Sequence, residues 1–119
     1  MTNGSNNWKV SYSIISFMEM MLKGHSNVKA FKRTKDIVFH VERKVPLSEV
    51  IILCLNEYAF SLAKLYQVFE EFPECNCICV GGDWNGYTPD AKEECNARNI
   101  GLFVTSELSG GLNVDDFWK

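Results

Sequence analysis

Six consecutive apolar residues, Val50-Ile51-Ile52-Leu53-Cys54-Leu55, stand near the middle of the chain between the turn residues Pro46-Leu47-Ser48 and the polar Asn56-Glu57. A strand with one wet face alternates apolar and polar residues, and this run does not alternate. It therefore predicts a strand covered on both faces, central in its sheet. A sheet with such a strand needs helices on both sides.

The flanking segments supply them. Val10, Ile14, Phe17, Met18, Met21 and Leu22 recur near helical spacing, predicting a first helix from Trp8 to about Lys23. Asn6 or Asn7 is placed to cap its start, and Gly24 suits its C′ position. Two strands follow, Asn27 to Arg33 and Asp36 to Lys44, joined by a tight turn at Thr34-Lys35. In the second, Ile37, Phe39 and Val41 point one way and Asp36, Val38, His40, Glu42 and Lys44 the other, the pattern of a half-exposed antiparallel strand. After the central run, helical patterning resumes from Ala59 to about Phe72 and ends before Pro73. Cys77-Ile78-Cys79-Val80 is a short buried strand closed by Gly81-Gly82. Thr88-Pro89 opens a helix, with threonine at N-cap and proline at N1, that stops near Asn99. Ile100 to Val104 is the last strand, and Val114 to Trp118 begins a short terminal helix.

The order is α-β-β-β-α-β-α-β, with a final helix. The first three strands form an antiparallel meander. The last two join through helices, which requires parallel pairing with right-handed crossovers. The fold class is thus α/β, in the mixed α+β sense: a five-stranded mixed sheet with helices on both faces. A chain of 119 residues is long enough for one core and too short for two, so residues 1–119 read as a single domain.

This order resembles the core of the PD-(D/E)xK nuclease superfamily, the restriction-endonuclease-like fold, over roughly residues 8 to 104. In that family an aspartate starts the second strand and an acid-x-lysine pair ends the third. The resemblance implies that the acids hold a divalent metal and that the lysine positions or activates the attacking water. Asp36 begins the second strand as that pattern asks. The third strand departs from it, reading Leu53-Cys54-Leu55, with Asn56-Glu57-Tyr58 just downstream. Leucine cannot bind Mg²⁺, which takes oxygen ligands. The resemblance therefore implies the fold more than the activity, and a member with a degenerate active site.

Several residue sets are candidates for chemistry. Asp36 and Glu57 are the best metal-holding carboxylates, and His40 and Glu42 share the strand face assigned to Asp36. Between Lys23 and Lys44 seven basic residues meet only Asp36 and Glu42, whereas from Val45 onward four basic residues meet twelve acidic ones. The hairpin residues Lys29, Lys32, Arg33 and Lys35 could thus track phosphates, although lysine also blocks edge-to-edge strand pairing. Cys75, Cys77 and Cys79 place three sulfurs on one strand face, but no second ligand pair accompanies them, so they read as structural cysteines and no metal site is assigned. His25 sits just past the first helix, where its charge suits the helix end. In Gly81-Gly82-Asp83-Trp84-Asn85-Gly86-Tyr87, at the C-terminal end of a parallel strand, Trp84, Asn85 and Tyr87 are candidates to anchor a partner or stack a base. Phe117 and Trp118 either dock on the domain or form a patch for oligomerisation.

Two functions fit. One is a non-catalytic binding or assembly module, without a cofactor, that forms a homo-oligomer or serves another protein. The other is a metal-dependent nuclease using Asp36, Glu57 and Mg²⁺, with Lys44 or another basic residue in place of the missing lysine. The polar Met1–Asn7 segment shows no secretory pattern, no run is long enough to span a bilayer, and five cysteines do not suit a disulfide framework. A cytoplasmic location and no membrane partner are the expectations that follow.

Overall fold

A computed structural model describes residues 6–82 and 84–118. Along the chain run α1 (Tyr12–Gly24), β1 (Val28–Thr34), β2 (Val38–Arg43), β3 (Val50–Cys54), β4 (Ala59–Phe60), α2 (Leu62–Glu71), β5 (Cys77–Cys79), β6 (Gly86–Tyr87), α3 (Pro89–Ala97), β7 (Gly101–Phe103) and α4 (Thr105–Gly111). Five strands form one sheet in the order β1-β2-β3-β5-β7, and β4 and β6 pair separately. The apolar run is the central strand. It pairs antiparallel with β2, in the register Val38↔Leu53 to Val41↔Val50, and parallel with β5. The meander and the parallel half are as the element order requires.

Both faces of the central strands are covered. The crossovers β3-α2-β5 and β5-α3-β7 step in the same direction, so right-handedness places α2 and α3 on one face. Leu53, Ile78 and Leu102 are fully buried beneath them. On the other face Ile14 and Met18 of α1 stand across a cavity from Cys54 and Cys79, while Gly101 lies against Phe103 and Phe117.

Local boundaries depart from the pattern where tertiary contacts intervene. The first helix begins at Tyr12, not Trp8, because Lys9 adopts a left-handed φ of 58° that turns the chain. Asn6 does not cap the helix; its Oδ1 accepts from the backbone N–H of Trp8 and Val10, at 3.1 and 3.0 Å. Trp8 itself donates its indole N–H to Glu71 at 2.9 Å. Gly24 is the last helical residue and His25 the C-cap. His25 also reaches the Ser109 carbonyl at 2.9 Å, tying α1 to α4.

The hairpin reverses one residue later than the pattern suggests, at Lys35 and Asp36, whose φ values of 49° and 69° are left-handed. Asp36 therefore lies in the turn and β2 starts at Val38. The strand is also less exposed than its alternation implies: Val38 is fully buried on the face assigned to solvent, and only His40 and Glu42 open outward.

Ala59 and Phe60 pair with β6 and do not start α2: the Gly86 and Thr88 N–H groups donate to the Tyr58 and Phe60 carbonyls, each at 3.0 Å. Ser61 then caps α2, accepting from the Lys64 N–H at 3.3 Å. The terminal helix is α4, not Val114–Trp118. It forms through Ser109-Gly110-Gly111 because Glu107 accepts from the Val104 N–H at 3.0 Å and Leu108 and Leu112 are buried. The Thr88-Pro89 start of α3 holds as read, with the Thr88 hydroxyl accepting from the Ala91 N–H.

Candidate functional site

Asp36 and Glu57 stand at the same end of the β2–β3 pair, since the Cys54 N–H donates to the Ile37 carbonyl and Glu57 follows β3 by three residues. Asp36 is only 7% exposed. One carboxylate oxygen accepts from Arg33 at 2.9 Å and the other from Asn6 Nδ2 at 2.8 Å. Arg33 also donates to the Asp36 carbonyl at 3.0 Å and pairs with Glu19 of α1 at 3.4 Å. The four groups bind the hairpin turn to α1 and to the N-terminal segment.

Glu57 is ion-paired with Lys64 in the first turn of α2. Lys44 is far from this corner. It lies eight residues along the hairpin from Asp36, about 26 Å of extended chain, and no lysine side chain bridges that span. The lysine beside Glu57 is Lys64, which the sequence reading missed. Only the capping by Ser61, which places Lys64 in the first helical turn, could have pointed to it.

The basic hairpin is not one surface. Arg33 faces α1 and is spent on Asp36 and Glu19, whereas Lys32 lies opposite His40 on the uncovered face. Lys29 pairs with Glu42 at 3.4 Å and Lys35 with Glu74 at 2.9 Å, the Lys35 ammonium lying 5.8 Å from the Phe72 ring centre. His40 bonds Thr34 at 3.1 Å. His40 and Glu42 thus remain on a strand face, but Asp36 does not join them.

The Lys35–Glu74 pair makes stability depend on pH. Partial burial pushes the Glu74 carboxyl up, but the Lys35 hydrogen bond and charge outweigh it and hold the group below its ordinary value. A depressed carboxylate stabilises the fold above its unfolded pKa, and that contribution is lost as pH falls through the folded value. Between about pH 5 and about pH 3 the stability gap between the natural chain and Glu74→Gln should therefore shrink. Urea melts of both proteins across that range measure it.

All five cysteines are free and buried. Burial pushes Cys75 up to about 12 and Cys95 to about 11, and raises Cys54, Cys77 and Cys79 as well, so the thiols stay neutral. Among the described residues no group of three or more His, Cys, Asp or Glu side chains is placed to hold a metal ion.

The loop after β5 is built around Gly81, whose φ of 119° few L-residues adopt. A Cβ there would collide with the Asn85 amide. Asn85 fills that space by donating to the Asn56 side chain at 2.7 Å and the Val80 carbonyl at 2.9 Å. Tyr87 donates to Glu107 at 2.9 Å, and burial together with that carboxylate pushes its phenol up to about 12. Asn85 and Tyr87 thus hold the loop in place, and both also line the cleft beside Trp84. Trp84 is 90% exposed and Tyr58 80% exposed, and both border a cleft of about 280 Å³. Tyr58 was not singled out by the sequence, because its proximity to Trp84 exists only through the β4–β6 pairing. Asp83 lies outside the described residues. Gly81→Ala should cost about 2–3 kcal/mol through backbone strain and the displaced Asn85 amide, read as a lowered urea midpoint with an unchanged slope.

The C-terminal aromatics dock. Phe117 is buried, lies 5.6 Å from the Arg43 guanidinium, and meets Trp118 edge-to-face at 5.3 Å.

A cavity of about 390 Å³ opens at the C-terminal ends of β3 and β5. Ile14, Phe17 and Met18 of α1 form one wall, Cys54, Leu55 and Cys79 the sheet side, and Ser13, Asn56, Thr105 and Ser106 polar points around it. Ligands of open α/β sheets gather at this edge.

No protein-family model, curated protein or solved structure matches the chain. Among the described residues no helix is long and apolar enough to cross a membrane.

Proposed function

We propose that the chain is a non-catalytic binding or assembly module on a restriction-endonuclease-like fold. The observation that carries this reading is the state of the acid corner. Both oxygens of Asp36 are engaged by Arg33 and Asn6, and Leu53 and Leu55 are buried at 0% and 1% exposure where an acid-x-lysine pair would stand. A metal would have to displace the part-buried Arg33 guanidinium from the buried Asp36 carboxylate. The surface offered to a partner is the exposed pair Trp84 and Tyr58, whose large rings are the side-chain type that anchors interfaces. The partner is a second copy or another protein, and the setting is cytoplasmic.

A second reading is favoured by one contact. The Glu57–Lys64 ion pair sets an acid beside a lysine at the end of β3, the combination a metal-dependent nuclease with Asp36 would use. Labelled single-stranded DNA, duplex DNA and RNA incubated with the protein, with and without Mg²⁺ or Mn²⁺, separate the two. The module cuts none of them. Metal-dependent cutting that disappears in Asp36→Asn would restore the nuclease. Binding without cutting, weakened by salt and by neutralising Lys29 and Lys32, would make nucleic acid the module's partner.

A further inference from the structure

The cavity between α1 and the sheet borders the segment that leads to Glu57 and the loop that carries Trp84, but Asp36, Glu57, Lys64, Tyr58 and Trp84 do not line it. Its lining is unusual for a chain in which 23% of residues are charged: among the described residues no Asp, Glu, Lys, Arg or His contributes to it. Among the described residues its ionisable groups are the thiols of Cys54 and Cys79, neighbours across the β3–β5 pair. Burial keeps both thiols neutral. The walls, Ile14, Phe17, Met18 and Leu55, are apolar. Hydrogen-bonding groups stand at Ser13, Asn56 and Thr105, and each can both donate and accept. The Thr105 hydroxyl lies 3.7 Å from the Cys79 sulfur. A charged ligand entering here would lose its hydration without meeting an opposite charge. Ser13 already bonds Ser11 at 2.9 Å and Asn56 accepts from Asn85, so a purely apolar ligand would cover the remaining hydrogen-bonding capacity of Thr105 and the Asn56 amide without using it.

We infer that this cavity is a binding site for a small uncharged molecule with an apolar ring or chain and one hydroxyl or carbonyl group. The volume, about 390 Å³, falls in the range of small-molecule sites and suits a ring-sized body. The ligand's apolar body contacts Met18, Phe17 and Leu55, and its polar end reaches Thr105. Among the described lining residues no basic side chain stands ready to neutralise a phosphate, which disfavours a nucleotide.

The test uses the full chain with methyl-labelled Ile, Leu and Met, observed by NMR. The probe is 4-methylphenol, with 4-methylbenzoate and 4-methylbenzylammonium as charged analogues of the same ring. The expected result is saturable millimolar or tighter binding of 4-methylphenol, shifting the methyls of Ile14, Met18 and Leu55. Each charged analogue should bind at least about tenfold more weakly. Ser106→Trp, at an exposed lining position, should abolish the shifts while the rest of the spectrum keeps its dispersion. Ser13→Trp, from the opposite wall, does the same if the first variant fails to fold. No saturable shift of the three methyls would overturn the inference, as would equal binding of a charged analogue or binding that survives both tryptophan variants. Shifts of those methyls with protein concentration alone, without any response to 4-methylphenol, would overturn it in favour of a side chain from a second copy.

Discussion

Arg43→Met is expected to destabilise the fold by about 3 kcal/mol, lowering the thermal midpoint by about 10–15 °C. Arg43 closes β2 and is buried, with a side chain shielded completely from solvent. Its Nε donates to the Ser48 carbonyl at 2.7 Å, and its Nη1 donates to the Val114 and Leu112 carbonyls at 2.8 and 3.3 Å. Asp115 lies 3.5 Å away and also accepts from Ser48. One guanidinium thus fastens the β2–β3 turn to the C-terminal segment and lies against Phe117. Methionine keeps most of the volume but donates nothing, leaving carbonyls without their partner in a dry site. Calorimetric melts of the two proteins measure the loss. A midpoint change within a degree or two would mean that the tail is not held by this residue. Arg43→Lys should recover little, since an ammonium cannot reproduce the fork that reaches Ser48 and Val114 together.

Asp36→Ala should cost about 2–3 kcal/mol, whereas Asp36→Asn should cost distinctly less. The alanine variant strands the Arg33 guanidinium and Asn6 beside an empty position. It also places alanine at a φ of 69°, which asparagine and aspartate tolerate better because their short polar side chains stabilise that conformation. Urea midpoints of the two variants rank the losses. Equal, small losses would show that the corner carries no structural weight, and would reopen a purely chemical reason for the aspartate. This is also why the cleavage experiment uses Asp36→Asn: a variant that loses activity by unfolding reports nothing about metal binding.

The arginines show where reading by sequence ends. Arg33 and Arg43 belong to the same basic stretch as Lys29, Lys32 and Lys35, and by charge alone they count toward one phosphate-tracking face. In the fold both arginines turn inward, Arg33 to Asp36 and Glu19, Arg43 to carbonyls 69 and 71 residues away. Charge adds along a sequence, but strand alternation and pairing decide which charges share a surface. Lys44 is carried away from Asp36 along the hairpin for the same reason, whereas Lys64 meets Glu57 because α2 follows closely on the end of β3. Tyr58 became a neighbour of Trp84 only through the two-residue strands β4 and β6, which are too short to leave a pattern.

The sequence by itself determined the sheet. Unbroken apolarity in Val50–Leu55 required burial on both faces, and hairpin spacing and the helical segments between strands set antiparallel and parallel neighbours. These are local signals, period and turn chemistry, carried by residues close in the chain. Tertiary structure alone decided where α1 and α4 begin, which polar side chains are consumed as struts, and that an uncharged cavity remains at the ends of β3 and β5. Those outcomes depend on contacts such as Asn6 to Asp36 and His25 to Ser109, between residues whose separation of 30 or more positions leaves no periodic trace. A hydrogen-bond partner is chosen by what the packed core brings within 3 Å, and that selection is made only once the sheet and its helices have closed.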